Sequence, residues 1–261
     1  MTNGLLEGKF GFIFGVAHKS SLAAAIAQAF DQAGMRIALA YQSQRQLRNV
    51  EQLVETLRQE DVPVVQCDVT DDGQIESAFS TVQEAFGQLD ALVHSIAFAN
   101  REDLSGGFSE TSRQGYLLSQ DISAFSLTAL SRSALPLFEK AGGGSVMTLT
   151  YLGGERVVRN YNVMGVSKAA LEMSVRYLAA DLGSRNVRVN AISAGPVKTL
   201  SARGVAGFTD ILATMREQAP LRRNIEASEV GNTAVFLASQ LSSGITGEVI
   251  HVDAGYHILA V

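Results

Sequence analysis

Short, nearly uninterrupted apolar runs alternate along this chain with longer segments whose apolar residues recur every three or four positions. The runs cover residues 10–15, 36–41, 62–67, 91–95, 145–150, 187–192 and 248–252. Their hydrophobicity is too continuous for strands with one wet face, so the pattern predicts a parallel sheet covered by helices on both sides. Helical spacing marks residues 21–33, 44–59, 72–86, 114–138, 161–182 and 227–238. Gly34 suits the end of the first helix, and Asp71 and Asp72 suit the start of the third. Seven strands alternating with at least six helices predict α/β architecture, a single doubly wound domain over residues 1–261. Residues 194–220 break the alternation: Gly195, Pro196, Gly204, Gly207 and Pro220 interrupt an apolar set that includes Val205, Phe208, Ile211 and Leu212. A segment of this length inside a compact domain is expected to act as a lid.

Composition narrows the function classes. Apolar residues make up 46% of the 261 and charged ones 18%, which favours a large buried core over disorder. A net charge of -5, with 21 scattered lysines and arginines, supplies no basic field for nucleic acid. The lone cysteine, Cys67, excludes a disulfide framework, and His18, His94, His251 and His257 lack metal-ligand spacing. His94 is expected as a hydrogen-bonded core residue of a strand. No apolar run approaches the roughly 20 residues that span a bilayer, and the N-terminus does not read as a signal peptide. The expected setting is cytoplasmic, away from the membrane.

Candidate chemistry clusters where strands end. Ligands of open α/β sheets bind outside the carboxyl ends of the strands. Gly15 and Ser21 flank the first strand-to-helix turn, where free helix amides suit a pyrophosphate, although the three-glycine dinucleotide fingerprint is absent. Ser21 serves equally well as a plain N-cap. Asp68 follows the third strand and Ser95, Ile96 and Ala97 the fourth; a helix cap for Asp68 and close packing for Ser95 and Ala97 remain alternatives. The second strand ends in Tyr41 and Gln42 with no carboxylate for a ribose, while Arg45 and Arg48 offer charge for a 2′-phosphate. NADH and NADPH both stay open on these residues. Tyr161 and Lys168 lie seven residues apart on one predicted helix, hence on one face and roughly 10 Å apart along the axis. A phenol beside an ammonium can stabilise an oxygen that gains negative charge.

The ordered motifs resemble the short-chain dehydrogenase/reductase superfamily and, within it, the bacterial type II enoyl-[acyl carrier protein] reductases. The carriers are Gly15-Val16-Ala17 with Ser21-Leu22-Ala23, Tyr41-Gln42, Cys67-Asp68-Val69, His94-Ser95-Ile96-Ala97, Thr150-Tyr151-Leu152-Gly153, Asn160-Tyr161-Asn162 with Lys168, and Asn190 through Val197. Most of the superfamily places its tyrosine four residues before the lysine, where this chain has Met164. The enoyl reductases place it seven before, at Tyr161, and carry a tyrosine where other members have serine, here Tyr151. A ketone reductase must protonate the oxygen on the carbon that receives hydride, whereas an enoyl reductase stabilises an enolate oxygen two carbons away.

The resemblance implies a Rossmann-type fold with a helical substrate-binding lid at about 194–220, and reduction of trans-2-enoyl thioesters in fatty-acid elongation. It implies Tyr161, Lys168 and Tyr151 at the reaction centre. Gly15, Ser21, Leu22, Gln42, Asp68, Val69, Ser95, Ile96, Ala97, Lys168, Val197 and Thr199 would hold the dinucleotide, with Gln42 favouring NADH without excluding NADPH. Ala99, Tyr151, Tyr161, Met164, Val205 and Phe208 would line the acyl site. It further implies acyl carrier protein as the substrate's carrier, a homotetramer, and binding of triclosan-type inhibitors. Phe14 and Ala97 depart from the common Thr and Gly of relatives. The competing expectations are a 3-oxoacyl thioester reductase and a dinucleotide sensor without turnover.

Overall fold

The computed structural model describes residues 4–197 and 208–260, without the side chains of Phe208, Thr209 and Ile211. Seven strands form one parallel sheet: β1 (Phe10–Phe14), β2 (Arg36–Tyr41), β3 (Val64–Gln66), β4 (Ala91–His94), β5 (Gly144–Thr150), β6 (Val187–Ala194) and β7 (Val249–Val252). Their order is β3-β2-β1-β4-β5-β6-β7. The chain builds outward from β1, returns, and builds the other way from β4. Order therefore reverses between β1 and β4, where Phe14 pairs with His94, and the crossovers on either side diverge to leave a crevice.

The continuous apolar runs follow from burial on both faces. In β1, Phe12 and Phe14 join one core while Ile13 joins the other. The same alternation recurs in β2, with Ile37 and Leu39 opposed to Ala38 and Ala40, and in β4, with Val93 opposed to Leu92. One face is covered by α1 (Leu22–Gln32), α2 (Gln44–Val54) and α8 (Ala227–Ala238). The other is covered by α3 (Asp72–Phe86), α5 (Ser126–Ala141) and α6 (Asn162–Leu182), and α4 (Arg113–Gln120) leads into α5.

Three elements differ from the periodic pattern. The second helix stops at Val54 because buried Asp31 takes the amides of Arg58 and Gln59, at 2.9 and 3.3 Å, and turns the chain away. The predicted fourth helix is split by a π-helical turn, Asp121–Phe125, between α4 and α5. The segment that breaks the alternation contains α7 (Phe208–Gln218), which carries buried Leu212 and Met215.

Candidate active site

The base of the crevice is set by Gly15. Its φ is +91°, and a Cβ there would stand 2.0 Å from the Ser95 carbonyl oxygen, so only glycine lets the β1–α1 turn lie against the end of β4. Ser21 caps α1, its hydroxyl accepting from the Ala24 amide at 3.1 Å. The remaining amides of the first turn have no intrahelical acceptor, which leaves a donor-rich, positive helix end beside the crevice. Beyond β2 and β3, the Gln42 side-chain amide donates to an Asp68 oxygen at 3.2 Å. Burial pushes the Asp68 carboxyl up, but hydrogen bonds from Thr70 and Gln42 outweigh it and hold the acid below its ordinary range. The cap of α3 is Asp71, accepting from Gly73 and Gln74, so Asp68 is not used as one. Past β4, the Ser123 hydroxyl accepts from the Phe98 amide at 2.9 Å and donates to the Phe98 carbonyl at 3.1 Å. The loop that carries Ser95, Ile96 and Ala97 is thereby pinned to the π-helical turn.

The opposite wall is built by the end of β5 and the start of α6. Tyr161 directly precedes the helix, between Asn160 and Asn162 with φ of +63° and +37°. These left-handed positions turn the chain sharply into α6, at a cost on the order of 1–3 kcal/mol each. The ring of Tyr161 meets that of Tyr151 edge-on, with centroids 5.2 Å apart and planes at 72°. It also lies over Gly153, where a Cβ would stand 2.4 Å from the ring. Lys168 is 5% exposed and donates from Nζ to the Leu149 carbonyl at 2.7 Å.

Burial dominates the electrostatics. It pushes the Tyr161 phenol well above its ordinary value, with Tyr151 and Glu172 adding to the effect. Tyr151 is pushed up to about 12 by burial, then by Tyr256 and Asp253. Lys168 is brought down to about 8 by burial, opposed by Glu172. The site therefore presents two neutral phenols and an ammonium with little proton affinity to spare. His94, at the end of β4, is fully buried between the Thr148 and Ser126 hydroxyls, each 2.8 Å from a ring nitrogen. Burial and then Lys168 bring its pKa down to about 3, so the imidazole is neutral.

One cleft of about 840 Å³ joins these parts. Gly15, Ser21, Leu22, Gln42, Val69, Ser95, Ile96, Ala97, Ala99, Tyr151, Tyr161, Met164, Lys168 and Val197 all line it. Asp68 stands behind Gln42 and meets the cleft through that residue. Thr199 and Val205 lie outside the described residues, and Phe208 opens α7. Further lining residues had no site role in the sequence: Tyr41 and Cys67, named there only within motifs, near the Gln42 end, and Phe98, Arg101, Leu104, Ile122 and Val158 elsewhere. Phe98, Arg101 and Leu104 follow β4 just past Ala97, on the side of the strand end where sites of this architecture gather. Ile122 and Val158 gave no such signal, because a π-helical turn and an irregular loop place them. Among the described residues no cluster of His, Cys, Asp and Glu could hold a metal. The glycine cradle, the open end of α1 and a polar pair past β2 suit a dinucleotide laid across the sheet reversal.

Comparison with known proteins gives a consistent likeness. Residues 15–257 match the family model described as enoyl-(acyl carrier protein) reductase. The chain is 54% identical over 255 residues to the enoyl-[acyl-carrier-protein] reductase [NADH] FabI of Bacillus cereus, covering 98% of this chain and 99% of that one. It is 51% identical to the [NADPH] FabI of Staphylococcus aureus, covering 97% and 98% respectively. Among solved structures, the Bacillus cereus reductase with NADP+ and indole naphthyridinone superposes with a TM-score of 0.96 at 53% identity, covering 98% of this chain and 99% of that one. The Anaplasma phagocytophilum reductase in complex with NAD gives 0.94 at 45% identity, covering 99% and 97%.

Proposed function

The chain belongs to the enoyl-(acyl carrier protein) reductase family, and from that premise we propose how its own residues divide the work of reducing a trans-2-enoyl thioester in fatty-acid elongation. It is an oxidoreductase that uses a nicotinamide dinucleotide; NADH, named for the Bacillus cereus relative, is the expected form, and NADPH, named for the Staphylococcus aureus relative, is not excluded. When bound, the reduced dinucleotide supplies hydride to the β-carbon of the substrate. Gly15, Ser21 and Leu22 hold its phosphate and ribose region against the open end of α1. Gln42, Asp68 and Val69 hold the adenosine end, Ser95, Ile96 and Ala97 the middle, and Val197 and Thr199 the carboxamide and pyrophosphate. The Asp68 carboxylate behind Gln42 favours a ribose hydroxyl over a 2′-phosphate, which would bring like charge beside it.

Tyr161 donates a hydrogen bond to the thioester carbonyl oxygen. Burial keeps its phenol protonated, so it acts as a donor in place and stabilises the charge that collects on that oxygen as the enolate forms. Protonation at the α-carbon then completes the saturated product. Lys168 binds the nicotinamide ribose hydroxyls and carries the site's positive charge. Tyr151 braces the Tyr161 ring and shapes the pocket. Ala99 and Met164 bound the acyl chain. The carrier of the substrate is acyl carrier protein, and inhibitors of the triclosan type occupy the same cleft; the Bacillus cereus relative has been seen with an indole naphthyridinone. Apolar side chains left open on the helices, including Leu117, Phe125 and Tyr177, support assembly as a homotetramer. No helix among the described residues is long and apolar enough to cross a membrane.

The observation that carries the reading is the seven-residue interval itself. Tyr161 and Lys168 share the cleft, and the position four before the lysine holds Met164, a side chain without a proton to donate. The test follows NADH and NADPH oxidation with crotonyl and acetoacetyl thioesters in parallel. Oxidation with the crotonyl substrate is expected. Turnover of the acetoacetyl substrate alone would make the protein a ketone reductase, and turnover of neither would make it a sensor.

A further inference from the structure

Lys168 is an ammonium in a place that disfavours one, and its neighbours show what offsets this. Glu172 lies one turn further along α6, an interval that puts two side chains on one face. Both residues are 5% exposed. The end of β5 holds the two together: the Leu149 carbonyl accepts from Lys168 Nζ at 2.7 Å, and the next residue, Thr150, donates from its hydroxyl to Glu172 Oε1 at 2.6 Å. Thr150 is itself buried and lines the cleft. Room for the carboxylate comes from Gly154, where a Cβ would stand 2.6 Å from Glu172 Oε1 and 3.1 Å from the Lys168 carbonyl carbon.

Among the described residues, the other groups around the pair do not supply this counter-charge. Tyr151 and Tyr161 are held neutral, and His94, behind Lys168 on β4, is neutral as well. Glu155, past the Leu152–Gly154 turn, is bonded to His251 at 2.8 Å. Burial pushes the Glu172 carboxyl above its ordinary range and Glu155 adds to this, opposed by the Thr150 hydrogen bond, by exposed Arg176 one turn beyond, and by Lys168 itself.

We propose that Glu172 is a positioning residue for the reaction: its buried carboxylate, anchored by Thr150, holds Lys168 in the ammonium form that the cofactor ribose requires. The inference rests on the assignment of Lys168 to that ribose. Without a nearby negative charge, a buried lysine gives up its proton at lower pH. Glu172 thus extends the alkaline range over which the site works.

The test is the pH dependence, from about pH 6 to 9.5, of NADH affinity and of kcat/KM with a crotonyl thioester. Three proteins are compared: wild type, Glu172→Gln and Glu172→Asp. In Glu172→Gln the alkaline limb of both quantities should move down by about one unit or more, while values near pH 6 change little. Glu172→Asp keeps the charge and should restore most of the limb. Should the amide variant melt early, Glu172→Met removes the charge with a side chain of similar length and should show the same shift. An unmoved limb in a folded, active, uncharged variant would overturn the inference, as would a loss uniform in pH and shared by Glu172→Asp. A wild-type enzyme with no NADH-dependent reduction of the crotonyl thioester would instead overturn the functional reading beneath it.

Discussion

Burial decides what each residue in the cleft can do. Tyr161 remains a phenol, so in the proposed reaction it would give a fixed hydrogen bond aimed where charge develops, and removal of one such donor costs roughly 10²–10³ in turnover. Tyr161→Phe should lower kcat by about that factor while NADH affinity, measured by fluorescence titration, stays close to wild type. A variant with intact turnover would remove the phenol from the mechanism. His94 gives a second, independent reading of burial. Its pKa falls from 6.5 to about 3 on folding, so the unfolded chain binds the proton more readily. Its contribution to stability is complete above pH 6.5 and is lost as pH falls from there towards 3, at about 1.4 kcal/mol per unit. Denaturant unfolding at pH 7 and pH 5 should show a drop for wild type that His94→Gln lessens by about 2 kcal/mol. The sequence placed His94 correctly because a histidine inside an apolar run must find hydrogen-bond partners. It could not give Glu172 a role, because a glutamate on a helix looks solvated until the strand beside it is known.

Helices and strands whose faces are set by burial alone were legible: α3 and α8 match the predicted bounds, and each strand lies within about two residues of its run. Elements fixed by single tertiary contacts were not. The early end of α2 depends on Asp31, distant in sequence, and the π-helical turn depends on packing against the loop past β4. The turn after β5 belongs to this second class, and it controls the active-site geometry. Gly153 carries the Tyr161 ring, and Gly165 on α6 faces the Gly153 carbonyl, where a Cβ would stand 2.8 Å away. Gly153 itself has no left-handed φ, so alanine is acceptable to its backbone; the new methyl must displace the phenol instead. Gly153→Ala should therefore keep its melting temperature within a few degrees and lose activity. A displacement near 1 Å costs up to about 10²-fold in kcat. Loss of fold together with activity would show that the glycine serves packing and not the position of the ring.

At the scale of the whole molecule, the site exists because the sheet reverses its order between β1 and β4, and Gly15 is the contact that lets the two halves meet there. A doubly wound parallel sheet could be anticipated from alternation, but the tightness of this junction could not, since it depends on a carbonyl 80 residues away in Ser95. A dinucleotide laid across the reversal touches both halves, so binding should stabilise the fold as a unit. At a concentration of 100 times Kd a ligand specific for the native state adds about 2.7 kcal/mol. For a chain of this size that corresponds to a rise of roughly 5–10 °C in Tm. Gly15→Ala forces the turn away from Ser95, because neither backbone can yield to a separation of 2.0 Å and the left-handed φ disfavours any side chain. The substituted protein should lose most of the NADH-induced rise in a thermal shift measurement, while the unliganded protein still melts as one cooperative unit. A full rise in the alanine variant would mean that the cofactor does not depend on this junction, and that the glycine serves the chain turn alone.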